Sequence, residues 1–264
     1  MHTAIFRAAL LIAGLTVSSV ASAGFSLSDG FLPDSNPNSN NQWTAGGYDA
    51  SGAATSFTPF TSTIPNFAGT PVDVYTHSVS VEGNPSFPAG LYNTSNSPFV
   101  NGTTQFAPHE TALNPADGGF SGVFRFAVPT TGLYDLTAAF RSIDTRITND
   151  EADGVEVFIR LNSIDLATSS YLLNPALITT VGGTISFLTS SLSLTQGQTV
   201  DFVVGPRANF NFDGTGVSAN FVSALTVPEP ASLSIAALGM AGFGAWSLRK
   251  SRRNKRLANG DSAE

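Results

Sequence analysis

The 264-residue chain contains no cysteine, which excludes disulfide staples, thiolate metal sites and a cysteine nucleophile. Histidine is scarce: of three in all, only His77 and His109 lie beyond the first two dozen residues. A Ser–His–acid triad or a typical zinc site therefore has little to draw on. The serine motif Gly119-Phe-Ser121-Gly122 lacks the first half of a nucleophile elbow. Lysine is missing between residues 24 and 227. The basic side chains there are Arg125, Arg141, Arg146, Arg160 and Arg207 against sixteen acids, a net charge of −11. Such a surface repels phosphate backbones, so no nucleic-acid partner is expected. No stretch between the two ends sustains a helical period.

The ends carry what the middle lacks. Arg7 and the free amine precede an apolar run from Ala8 to Val17, and Ala21-Ser22-Ala23 fits the small-x-small cleavage rule. Residues 1–23 read as a signal peptide, with the mature chain starting at Gly24. Near the other end, Pro228-Glu229-Pro230 forms a rigid turn, because proline fixes φ and biases the residue before it toward extended backbone. Ala231 to Leu248 follows without a charge. As a helix, such a run spans roughly 27 Å, close to a bilayer core, so it is expected to be a short transmembrane helix. Arg249, Lys250, Arg252, Arg253, Lys255 and Arg256 close the segment. Positive charge stays cytoplasmic, which places the domain before Val227 outside. Residues 257–264 form a short polar tail.

The order Val-Pro-Glu-Pro, short Gly-rich span and Arg-rich end over 227–256 resembles the PEP-CTERM sorting signal of bacterial surface and exported proteins. The same tail is also grouped as the ice-binding-protein C-terminal domain. The resemblance implies recognition by an exosortase, a membrane transpeptidase acting at the Pro-Glu-Pro segment. Its implied sorting residues here are Pro228, Glu229, Pro230, Arg249, Lys250, Arg252 and Arg253. Ice binding itself is not expected, because it needs a flat array of regularly spaced threonines and Thr61 and Thr63 are the nearest approach.

Residues 24–226 suit one all-β domain. Turn-forming clusters such as Pro33-Asp34-Ser35-Asn36-Pro37-Asn38 make the part before Phe120 loop-rich. One strand is expected there, Val72 to Val81, with Tyr75, His77, Val79 and Val81 on one face. After Phe120 the period of two is plain. Phe124, Phe126 and Val128 share a face; so do Tyr134, Leu136, Ala138 and Phe140, and so do Val155, Val157, Ile159 and Leu161. Asn162-Ser163 reads as a hairpin turn into Ile164–Thr168. Ile185–Leu194 and Val200–Val204 flank the turn Gln196-Gly197-Gln198, and a last strand runs from Val217. These strands predict an antiparallel β-sandwich. The phrases Val128-Pro129…Gly132-Leu-Tyr-Asp-Leu and Gly197-Gln-Thr-Val-Asp-Phe resemble jelly-roll carbohydrate-binding-like modules. Such likeness implies a fold, not a ligand.

The acidic loop from Asp144 to Gly154 holds Asp144, Asp150, Glu151 and Asp153, a carboxylate set that could serve calcium, although its spacing is not that of an EF-hand. No other cofactor is expected. Trp43, Tyr48, Tyr75 and Tyr92 are either core pins or platforms for sugar rings. No catalytic motif is found. The chain is expected to be an exported envelope or matrix protein, held in the membrane at least transiently. Its sandwich would serve structure or binding, with polysaccharide as the alternative ligand and hydrolysis the least favoured role.

Overall fold

The computed structural model describes residues 24–30, 42–48, 57–77, 88–146, 153–162, 170–207, 211 and 213–224. The chain divides into two units, Met1–Ala224 and Leu225–Glu264. All described residues belong to the first. The expected signal peptide, the transmembrane run 231–248, the basic cluster and the polar tail lie outside them. Among the described residues no helix is long and apolar enough to cross a membrane.

The described strands are, in order, β1 (Gly24–Ser26), β2 (Trp43–Tyr48), β3 (Thr58–Pro59), β4 (Ser62–Ile64), β5 (Val72–Thr76), β6 (Ala89–Asn93), β7 (Phe99–Asn101) and β8 (Thr104–Phe106). They continue as β9 (Thr111–Asn114), β10 (Ser121–Ala127), β11 (Gly132–Ser142), β12 (Val155–Asn162), β13 (Ser170–Ile178), β14 (Thr184–Leu194), β15 (Thr199–Pro206) and β16 (Thr215–Ala224). An eight-stranded sheet runs β14-β11-β16-β9-β6-β5-β4, with β1 also paired to β16. A six-stranded sheet runs β13-β12-β15-β10-β2-β3, and β7-β8 form a separate hairpin. Every pairing is antiparallel. From β10 to β16 the chain passes between the two sheets at every connection except β12 to β13, a jelly-roll-like route.

The period of two produces the sandwich. Phe124 and Phe126 of β10 and Val200, Phe202 and Val204 of β15 point inward from one sheet. Tyr134, Leu136, Ala138 and Phe140 of β11 meet them from the other, and all are buried. The Phe126 ring stacks on Phe221 of β16 with centroids 4.1 Å apart. Trp43 of β2 lies against Phe126, Phe202 and Phe221, contacts worth about 1 kcal/mol each beyond the area they bury. Val72, Phe106, Ala112 and Ile143 form a second cluster, and Tyr48, Val123 and Val203 a third.

The turns explain the motifs. The Tyr134 hydroxyl donates to the Thr130 carbonyl at 2.7 Å, a tyrosine corner pinning the Pro129–Gly132 crossing. Gly197 takes φ +86°, and the Gln198 side chain accepts the Thr195 N–H at 2.7 Å.

Two expectations change. Among the described residues, the part before Phe120 holds nine strands rather than one, all two to six residues long, too short for a period of two to show in sequence. The strand from Val72 ends at Thr76: Tyr75 is buried, His77 is exposed in a bend, and Val79 and Val81 lie outside the described residues. Ile164–Thr168 lies outside the described residues, and the strand following β12 begins at Ser170.

Candidate functional site

Inward pointing of Val200, Phe202 and Val204 turns Asp201 to the outer face of the six-stranded sheet. The register sets Asp201 opposite Arg125 of β10 and Arg160 of β12. Arg125 grips both carboxylate oxygens, Nε to Oδ1 and Nη2 to Oδ2, each at 2.7 Å, the bidentate geometry that makes such pairs strong. The Tyr48 hydroxyl and the Asn162 amide also donate to Oδ2. Phe57 lies 3.9 Å from the Arg125 guanidinium carbon. Asp201 has no exposed surface.

Burial, and then the Asp201 charge, push the Tyr48 hydroxyl well above its ordinary pKa of 10.0. Tyr48 therefore stays a donor and does not act as a base. Burial alone would lower the Arg125 pKa, but the Asp201 contact outweighs it and the net direction is upward. The cluster is thus a fixed charge pair with its hydrogen bonds filled, except that Asn162 Oδ1 is buried without a partner. On the same face Phe158 meets Tyr171 edge-to-face at 5.6 Å. Tyr171 is half exposed.

Of the acidic loop, Asp144 and Asp153 are among the described residues. Asp144 is buried, and the neighbouring Ile143 N–H donates to the Gly214 carbonyl at 3.0 Å. This bond brings Asp144 beside Asp213, an acid that the sequence reading did not single out. Arg207 Nη1 donates to the Asp153 carbonyl at 2.7 Å. Asp213 is 2 % exposed, and both its carboxylate oxygens are buried without a hydrogen-bond partner. Burial, then the charges of Asp153 and Asp144, push its pKa from 3.8 to about 8, with Arg207 partly opposing. Asp150 and Glu151 lie outside the described residues. Among those described, no three acidic or histidine side chains gather closely enough to hold a metal ion.

Trp43, Tyr48, Tyr75 and Tyr92 are all buried, so they pin the core and are closed to sugar rings. His109 lies within hydrogen-bond distance of the Tyr92 hydroxyl and of Asn96 Oδ1, at 3.2 and 2.7 Å. Glu110 pairs with Arg141 at 2.6 Å, tying the Pro108–Glu110 segment to β11. A shallow cleft of about 180 Å³ lies near β1, lined in part by Asp29, Gln42, Trp43 and Asn220.

Comparison with protein families decides the tail. Residues 226–253 carry the PEP-CTERM protein-sorting motif. The motif takes in Pro228, Glu229, Pro230, Arg249, Lys250, Arg252 and Arg253, all outside the described residues. Comparison with curated proteins finds no match. Among solved structures the chain is similar to TmCBM61 in complex with β-1,4-galactotriose, at 13 % identity and TM-score 0.29, covering 58 % of this chain and 84 % of that one. It is similar to a family 35 carbohydrate-binding module from Clostridium thermocellum, at 12 % identity and TM-score 0.28, covering 48 % and 85 %. It is also similar to the N-terminal cellulose-binding domain of Cellulomonas fimi β-1,4-glucanase C, at 11 % identity and TM-score 0.26, covering 75 % and 91 %.

Proposed function

We propose that this chain is an exported bacterial cell-envelope or extracellular-matrix protein, delivered through its PEP-CTERM motif and carrying a non-catalytic β-sandwich. The motif at 226–253 is the observation that carries the reading. The composition supports it, since a cysteine-free and strongly acidic domain suits an exported surface. The saturated Asp201 pair and the engaged His109 support a structural or binding role rather than catalysis. Mass spectrometry of the mature C-terminus, from envelope and medium, tests the sorting. Loss of the chain beyond the Pro228–Pro230 segment is expected. An intact Glu264 in both fractions would leave a plain membrane anchor and overturn the reading.

Carbohydrate binding is the second reading, favoured by the exposed Tyr171 and its partner Phe158 beside Arg160 on the outer face of the six-stranded sheet. Neutral polysaccharide is the fitting class, because an acidic domain repels anionic chains. Glycan-array binding that weakens at least tenfold in Tyr171→Ala is the expected result. No binding by the wild type to any neutral glycan would sink it. Calcium binding by Asp144, Asp150, Glu151 and Asp153 is a further proposal from the acidic loop. Removing calcium with EGTA is then expected to lower Tm, and an unchanged Tm would discard it.

A further inference from the structure

A sheet edge presents unpaired N–H and C=O groups, and natural proteins blunt it with short strands, proline, charge or bulges. Three of the four ends of the two large sheets are blunted in this way. β4 has three residues and is followed by Pro65. β3 has two, one of them Pro59. β13 contains Pro175, and its pairing with β12 shifts register twice. The fourth end, β14, has eleven residues, with no proline and no charge.

Its pairing to β11 is unbroken from Thr184 to Thr189. Irregularity comes only beyond, where Ser191 takes φ +56° and its N–H donates to Asp135 Oδ1. Ile185 and Phe187 point to the core but are only partly buried. On the opposite face Leu188 is 76 % exposed. No charged residue occurs between Asp165 and Asp201, although the domain as a whole carries −11.

We propose that the β14 edge is a self-association surface, where a second copy of this chain adds its own β14 antiparallel and joins the two eight-stranded sheets. The charge pattern selects this occupant. With the two-fold axis near Leu188, residue i of one strand faces residue j of the other and j faces i, so a charge near the axis would meet its like. β14 has none, and it lies within the longest charge-free stretch of an otherwise self-repelling acidic domain. The second copy covers Ile185, Phe187 and Leu188 and satisfies the edge groups of both strands.

The test uses the full chain in detergent. Sedimentation equilibrium is expected to show a dimer that tightens from about 0.05 to about 0.5 M NaCl, since salt screens the acidic surfaces but not the uncharged edge. Leu188→Lys is expected to weaken the dimer at least tenfold with Tm unchanged. Because the protein has no cysteine, Leu188→Cys and Ser186→Cys report edge proximity directly through a disulfide-linked dimer on mild oxidation. Val100→Cys, at an exposed position on β7, serves as the control and is not expected to crosslink. A monomer at both salt concentrations without an edge crosslink would overturn the proposal. So would a dimer indifferent to Leu188→Lys, which would place the contact in the tail, or Val100→Cys crosslinking as readily as the edge.

Discussion

Asp201 and Asp213 are both buried acids, and the structure treats them in opposite ways. Asp201 is held by a bidentate arginine, with Tyr48 and Asn162 also donating to it. Asp201→Ala strands Arg125 in a partly buried site and is expected to cost about 3 kcal/mol, read from urea unfolding, because breaking a buried pair leaves the other charge uncompensated. Tyr48→Phe removes one donor and is expected to cost about 1 kcal/mol. Asp213 has no such partners and stays neutral instead. Its folded pKa of about 8 lies above its unfolded 3.8, so the folded state binds the extra proton between those values. Its stability contribution is full below pH 4 and is lost as pH rises through 8. Asp213→Asn is expected to raise Tm at pH 8 to 9 and flatten the decline that the wild type shows between pH 5 and 8. An unchanged slope would assign that decline to other groups. Neither acid stood out in sequence. Asp201 follows Thr-Val in an ordinary strand and Asp213 sits in an Asn/Gly loop, and only the register and burial bring them out.

At the scale of elements, legibility followed strand length. β10, β11 and β12 are long enough for the period of two to fix which face is inward, and Phe124, Phe126, Tyr134 and Val157 are buried accordingly. β1 to β9 have two to six residues each, so little alternation marks them. Of the two readings of the early aromatics, core pin or sugar platform, the first holds: Trp43 and Tyr75 are drawn into the shared core. Glycine fixes the geometry where strands begin. Gly154 takes φ +87°, and an added Cβ would meet the Ile178 carbonyl at 2.6 Å. Gly154→Ala is therefore expected to destabilise by about 2 kcal/mol, measurable by thermal unfolding, through strain at a left-handed position and a clash with backbone.

For the molecule as a whole, the charges divide by location. The acidic surface belongs to the sandwich, and half of all basic residues belong to the tail, so the whole-chain value of −7 describes neither part. Replacing Arg249, Lys250, Arg252 and Arg253 with glutamine is expected to impair membrane orientation and processing while leaving the sandwich's Tm unchanged, as fractionation and thermal unfolding would show. The sorting motif was the most legible part of the sequence because targeting segments are written in composition and order, not in tertiary contacts.

The pairing of β1 and β11 with β16 also sets a sequence of events. β16 is the last strand among the described residues, yet it lies inside the eight-stranded sheet between β11 on one side and β9 and β1 on the other. No partial chain can complete that sheet, and the first residues of the expected mature chain find their partner only when residue 222 has arrived. A chain stopped short of Thr215 is therefore expected to remain open to protease. Synthesis comes first and shape second, an order that keeps the sandwich open until almost all of it has been made.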